Sequence, residues 1–302
     1  MYSRHSVVAT LFCCLSCQSA FAEITNCTPI TSLPFVISAP GIYCLTGDLQ
    51  AGALRSATGP KGAIEIAADF VTVDLNGRRI DMGWSDVWAS SAGVHAYGHH
   101  HLAVRNGTIR GGTSGVRLEI GSDNIVEGIG AYGSTESGID VSSSNSIIRD
   151  NRIDVIGGAN PPSGIRSWGA GNSIINNTIS TSAPVPAYGS GTVGVFSRGD
   201  QSAIVGNRIL NMAVGSGGVM GIWTTGADQI IAGNYLAVRA GMDADRVGIR
   251  TEYGAAVVHD NVITGFTEGI AMLGGGAYSG NSVVGAINPY IGSAAHGAMN
   301  TP

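Results

Sequence analysis

The stretches "GIDVSSSNSIIRDNRI" (138–153), "GIRSWGAGNSIINNTI" (164–179) and "GVFSRGDQSAIVGNRI" (194–209) are one pattern written three times. Each opens on a glycine and an aliphatic, reaches a second apolar step about ten residues later, and closes on aliphatic-x-(Asp/Gly/Asn)-Asn-x-aliphatic. Eight segments begin this way: Gly93-Val94, Gly115-Val116, Gly138-Ile139, Gly164-Ile165, Gly194-Val195, Gly221-Ile222, Gly248-Ile249 and Gly269-Ile270, at spacings of 21 to 30 residues. The closing signature recurs at Ile231 to Leu236 and Val258 to Ile263. The apolar stretches are short, alternate with period two and are bounded by Gly, Asn, Asp and Ser, which is the chemistry of strands and tight turns. A leucine-rich repeat would need recurring leucine and a helical half, and a propeller blade about forty residues per unit. Three short strands per unit with no helical return leave an all-β chain that climbs one strand spacing, about 4.8 Å, per turn. The sequence therefore predicts a right-handed parallel β-helix of about nine or ten coils.

Stacked coils align equivalent positions, so the aliphatics form inward columns. Asn151, Asn177, Asn207, Asn234, Asn261 and Asn281 form a ladder at one corner, where asparagine tolerates left-handed backbone and its amide bonds the asparagines above and below. Two departures stand out: Val126-Glu127-Gly128-Ile129 lacks the asparagine, and Asn106-Gly107 shifts it by one. The coil Gly62 to Ile80 belongs to the same stack, which is expected over 61–284. Residues 23–60, with the turn Ala39-Pro40-Gly41, are expected to cap its N-terminal end, and 285–302 to form a C-terminal cap or tail, because open solenoid ends expose strand edges.

At the N-terminus, Arg4 and His5 precede an apolar run from Val7 to Cys17 and the small-residue ending Ser19-Ala20-Phe21-Ala22. This reads as a signal peptide, 1–22, too short to span a bilayer as a helix, and predicts a periplasmic or extracellular protein with no membrane span. Cys13, Cys14 and Cys17 leave with it, and Cys27 and Cys44 are expected to form a disulfide worth about 3 kcal/mol in the chain-entropy account; two buried free thiols are the alternative. Charged residues are 12% of the chain and the net charge is −5, which favours no nucleic-acid partner. A monomer is expected.

The stretches "ITSLPFVISAPGIYCLTGDL" (30–49) and "AIEIAADFVTVDLNGRRI" (63–80) resemble the opening of secreted members of the pectin-lyase-like superfamily of right-handed parallel β-helices, and the likeness spans roughly Ile30 to Ile287. That superfamily is rich in enzymes that cleave or epimerise acidic polysaccharides, alongside tailspikes and adhesins. Fold alone does not carry function, so the residues must.

Side chains alternate along a strand, so positions +2 and +4 from each repeat glycine share the outward face. The +2 column reads His95, Arg117, Asp140, Arg166, Phe196, Trp223, Arg250 and Ala271; the +4 column reads Tyr97, Glu119, Ser142, Trp168, Arg198, Thr225, Glu252 and Leu273. Aromatic rings flanked by arginines suit sugars bearing carboxylates, since rings stack on apolar sugar faces and guanidinium forks bind carboxylates. Trp168, Arg198, Trp223, Arg250 and Glu252 are the candidate substrate-binding residues. The turns Asp81 to Ser91, with Trp84, Asp86 and Trp88, and Ala183 to Gly191, with Tyr188, could wall a groove. The alternative is a face neutralised by cross-coil pairing, Arg117 and Arg166 against Asp140, and Arg250 against Glu252.

Gly248-Ile249-Arg250-Thr251-Glu252 is similar to the "GIRIK" strand of polygalacturonases, but Glu stands where that motif has Lys. The paired aspartates and Gly-His-Gly strand of those enzymes are missing, as is the Asp-Pro-His-Asp motif of alginate epimerases. What remains is lyase or epimerase logic, which needs a cation for the uronate, a base and an acid. His95, Tyr97, Arg117, Asp140 and Arg166 are the candidate catalytic residues. No cofactor is predicted: a calcium site would need clustered carboxylates, and only Asp243 and Asp245 stand close in sequence. The triple His99-His100-His101 reads as a solvated turn ahead of a transition-metal site, because adjacent histidines in extended chain point apart. The leading expectation is a secreted protein that binds polysaccharide, acidic by preference, with lyase or epimerase chemistry as its candidate activity. A non-catalytic structural or adhesive β-helix is the rival.

Overall fold

The computed structural model describes residues 26–51, 61–83, 91–157, 162–181, 191–212, 218–238 and 245–292, and the backbone of 295–296. The signal-peptide segment, Trp84, Asp86, Trp88, Tyr188 and Asp243 lie outside these residues. The described chain holds strands and turns and no helix. One strand from each coil, running from Phe35–Ile37 to Asn288–Gly292, joins an 11-stranded parallel sheet. The remaining strands form a 20-stranded parallel sheet that wraps the other sides. This is the right-handed parallel β-helix that the repeat predicts.

The inward column stands in one register: Val94, Val116, Ile139, Ile165, Val195, Ile222, Ile249 and Ile270 pair successively across the coils, and all are buried. Each such aliphatic contributes about 1.5–3 kcal/mol by leaving water. Pairing skips the repeat glycine, and packing explains its identity. A Cβ at Gly138 would sit 2.2 Å from Cγ2 of Ile153, and one at Gly164 equally close to Cγ2 of Ile179. The glycine column is the space into which the opposite wall packs.

The asparagine ladder is continuous. The Nδ2 atoms of Asn151, Asn177, Asn207, Asn234 and Asn261 each donate to Oδ1 of the next asparagine at 2.9–3.0 Å. The left-handed residue, however, is the one before each rung: Asp150, Asn176 and Asp260 at φ 55–56°, with Gly206, Gly233 and Gly280 in the other coils. The repeat thus divides the two duties, the preceding Asp, Asn or Gly turning the chain and the asparagine supplying the amide. A second buried polar file, Asn124, Ser146, Asn172, Ser202 and Gln229, lines another corner. Its mixed residue types hide it from a search for repeated letters.

The segment expected to cap the N-terminal end is itself built as a coil. Phe35–Ile37 pairs with Gly62–Ile66, and Gly41–Leu45 with Val71–Asp74, while Cys27 and Cys44 are joined as a disulfide. At the other end Asn288–Gly292 pairs with Glu268–Met272, and the Tyr278 and Tyr290 rings stack at 4.8 Å.

Candidate functional site

On the outward side of the 11-stranded sheet the +2 column stands in register as Glu65, His95, Arg117, Asp140, Arg166, Phe196, Trp223, Arg250 and Ala271. The column divides into two halves of different chemistry.

The first half is closed by its own charges. His95 is only 2% exposed, with Nδ1 2.7 Å from Oε1 of Glu65 and Nε2 2.9 Å from Oε2 of Glu119. Both carboxylates are satisfied only when both ring nitrogens carry protons. Burial by itself would lower the His95 pKa, but the hydrogen bonds with Glu119 and Glu65 outweigh it and hold the imidazole above its ordinary 6.5. Glu119 is lowered, chiefly by its bond to His95; Glu65 is also lowered, its hydrogen bonds outweighing burial.

Beside this triad, Nη2 of Arg117 donates to Glu136 at 2.8 Å and to Oγ of Ser114 at 2.9 Å. Nη1 of Arg166 donates to Glu136 at 2.9 Å and lies 3.4 Å from Oδ2 of Asp140, which is 3.7 Å from Nε of Arg117. Burial holds Asp140 above the usual carboxylate range against the pull of Arg166 and Arg117, whereas Glu136 is lowered because the two arginines outweigh its burial. Tyr97 stands apart and exposed, its ring 5.9 Å from Nζ of Lys61. The cross-coil pairing of Arg117 and Arg166 with Asp140 is therefore present, and Glu65 and Glu136 complete it. Neither glutamate was legible as a site residue: Glu65 lies in a coil that starts differently, and Glu136 lies two residues before a repeat glycine, at a turn that no column reaches.

This arrangement makes a pH prediction. A histidine whose pKa is raised on folding adds stability that is complete below its unfolded value, near 6.5, and is lost as pH rises through the folded value. The lowered carboxylates act in the opposite sense: their stabilisation is present above about 4.5 and is lost as pH falls through their folded values. The urea midpoint of the parent should therefore fall as pH rises past the folded His95 value, and His95→Gln should abolish that fall. A variant that declines as steeply as the parent would place the titrating group elsewhere.

The second half is aromatic and open. Trp168 is 41% exposed and Phe196 and Trp223 half-buried, on three successive coils. Ring centroids lie 6.4 Å apart from Trp168 to Phe196, edge to face, and 4.7 Å from Phe196 to Trp223. The guanidinium of Arg198 lies over the Trp168 ring at 5.5 Å and has no carboxylate partner among the described residues. Beyond Trp223, Nε of Arg250 donates to Oε1 of Glu252 at 2.5 Å, and these two with Tyr253 and Leu273 line a concavity of about 410 Å³.

Chemically, the first half offers neither a free base nor a free guanidinium: both ring nitrogens of His95 are bonded to Glu65 and Glu119, and Arg117 and Arg166 already meet carboxylates. The second half offers stacking surface, a guanidinium with no carboxylate partner among the described residues, and a recess. The histidine triplet diverges as expected of a turn. His99 bonds Asp69, His100 bonds Ser122, and His101 stacks on Phe70 at 4.6 Å.

A family model described as "Periplasmic copper-binding protein (NosD)" matches residues 70–246, more than half of the chain. Among solved structures, the chain is similar to PfbA, a surface adhesin of Streptococcus pneumoniae (11% identity, 84% of this chain and 82% of that one, TM-score 0.50). It is also similar to DFA-IIIase from Arthrobacter chlorophenolicus A6 in complex with GF2 (14%, 80% and 66%, 0.49) and to an alginate lyase from Paenibacillus sp. (13%, 86% and 91%, 0.44). At these identities the likeness is one of fold. No curated protein matches the sequence. The described residues do not fit the copper of the family description: no three His, Cys, Asp or Glu converge on a point that could hold a metal ion. Cys27 and Cys44 are bonded to each other, and the described histidine side chains are engaged separately.

Proposed function

The chain belongs to the NosD family, and from that premise we propose that it is an exported β-helix protein that binds a uronate-bearing polysaccharide along the strip Trp168–Phe196–Trp223. The observation that carries this reading is the strip itself: three rings on consecutive coils, next to the guanidinium of Arg198, which lies over Trp168, and leading to the recess at Arg250. Coils repeat every 4.8 Å or so, which presents a regular track of apolar surface to a polymer. Rings take the apolar faces of sugars, and a free guanidinium takes a carboxylate. Export is supported by the 1–22 segment and by the periplasmic description of the family.

Binding without bond cleavage is favoured over elimination. A lyase needs a base for the sugar's C5 proton and a cation for its carboxylate, and His95, Arg117 and Arg166 are committed to carboxylates of the protein.

Affinity electrophoresis against pectate, alginate, a glycosaminoglycan and a neutral glucan tests the reading. Trp223→Ala and Arg198→Ala should each weaken retention on the acidic ligand by about 1–3 kcal/mol. Added salt should mimic the arginine loss and not the tryptophan loss, since an exposed charge is screened and a stacking face is not. Retention of both variants at the parental level would move the site off this strip, and failure of the parent to bind any of the four would favour a structural role. Ultraviolet absorbance of an unsaturated uronate in the same mixtures would establish a lyase instead.

A further inference from the structure

The coil that lacks the corner asparagine lines a second concavity, on the other sheet. In later coils the asparagine corner divides the chain into two strands, such as Ile147–Arg149 and Arg152–Val155. Ala103–Arg110 and Ile125–Ser134 instead run through the corner unbroken. The ladder stops at Asn151, whose amide reaches back to the carbonyl of Val126. Ile129 takes the rung position opposite Asn151 and is buried, while Gly128 stands opposite Asp150 as the left-handed turning residue, at φ 60° with no heavy atom within 3.5 Å of a built Cβ. Outside this turn lies a recess of about 670 Å³ with Gly107, Gly128 and Gly130 on its surface, where the exposed Gly128 adds no side chain.

One ring lies across this surface. A Cβ on Gly130 would fall 2.7 Å from Cε2 of Tyr132 and within 3.3 Å of two more of its atoms, so the Tyr132 side chain rests directly on the glycine. Tyr132 also lines an adjoining recess of about 370 Å³ that contains Asp81 and Arg110. Part of the polar rim is held in place beforehand. Asp74, almost fully buried, accepts from Nε of Arg105 at 2.9 Å and from Nδ2 of Asn106 at 3.1 Å, which fixes both on the rim. Glu127 is bound by Arg149, and Arg152 with Asp150 completes the edge. The lining holds three carboxylates, Asp74, Glu127 and Asp150, and two guanidinium groups, Arg105 and Arg152, and Arg149 offsets Glu127 from outside it, so the recess has little net charge with which to select an ion.

We propose that this corner is a second binding site, for a short neutral saccharide stacked on Tyr132 with its hydroxyls bridged to the paired Arg and Asp/Glu groups of the rim. The recess draws residues from four successive coils, about 14 Å at the strand spacing, a span suited to two or three sugar units. A partly fixed rim lowers the ordering cost of binding, and hydroxyls can donate to the carboxylates and accept from the guanidinium groups at once. The inference is independent of the strip on the 11-stranded sheet.

Titration calorimetry and saturation-transfer NMR with maltotriose, cellotriose and raffinose, and with glucuronate and inorganic phosphate as charged comparisons, test it. At least one trisaccharide should bind the parent saturably. Tyr132→Leu should weaken that binding tenfold or more, whereas Tyr132→Phe should keep most of it because the ring remains. Gly130→Ala should also weaken it, since Gly130 is not in left-handed backbone and the added methyl displaces the ring without straining the chain. The proposal fails if no trisaccharide saturates the parent, if Tyr132→Leu binds as the parent does, or if glucuronate or phosphate binds better than every neutral sugar.

Discussion

Ile222→Asp should destabilise the protein by about 4 kcal/mol or more, while Trp223→Ala, one residue along the same strand, should leave the fold intact. Ile222 is fully buried between Val195 and Ile249 in the inward column. The substitution forfeits the transfer energy of the isoleucine and places a carboxylate where neither water nor a cation can reach it. Trp223 points to the opposite side, and its removal loses contact with Phe196 but opens no void in the interior. Urea denaturation followed by far-ultraviolet circular dichroism measures both. Equal losses from the two variants would mean that the outward assignment of Trp223, and with it the aromatic strip, is shifted by one residue.

The contrast between neighbours is legible in the sequence because a solenoid converts a period along the chain into a column in space. The pair Gly-Ile at 138, 164, 221 and 248 recurs at uneven spacing, and the unevenness is absorbed by the turns while the strands stay in register. The closing signature likewise located the rungs from Asn151 to Asn261. What the letters could not show is structure in which the residue type varies. The buried file from Asn124 to Gln229 uses three residue types for one position, and the segment around Phe35 joins the stack without a repeat glycine.

The candidate site was legible as columns and not as partnerships. The +2 and +4 columns stand together as the alternation of strands requires, including Trp168 beside Arg198 and Arg250 beside Trp223. The fate of each charge depends on groups outside the columns. Glu136 reaches in from a turn to hold Arg117 and Arg166, and Glu65 stands one coil before the first repeat glycine to hold His95. Arg117, Asp140 and Arg166 therefore look alike in sequence to groups that would meet a substrate, and in the fold they meet each other.

The ladder supplies the other large effect expected. Oδ1 of Asn207 accepts the backbone N–H of Asn177 at 2.9 Å and its Nδ2 at 3.0 Å, while Nδ2 of Asn207 donates to the carbonyl of Ile174 at 2.9 Å and to Asn234 at 3.0 Å. All of these groups are buried, so Asn207→Ala strands two donors on Asn177 and takes a donor from the carbonyl of Ile174 with no water to replace it, while Oδ1 of Asn234 keeps the backbone N–H of residue 207. At about 1–3 kcal/mol for each unsatisfied group, relieved in part by relaxation, a loss of about 3–6 kcal/mol is expected. Asn176, next to a rung but exposed and left-handed at φ 55°, provides the contrast: Asn176→Gly should change stability by less than about 1 kcal/mol, because glycine adopts that backbone freely. Coils contact only their neighbours, so a broken rung weakens one interface and lets the stack separate there. Asn207→Ala should therefore turn a single urea transition into two, with the coils on either side of residue 207 unfolding at different midpoints. A single transition displaced by less than 1 kcal/mol would show that backbone pairing alone holds the corner.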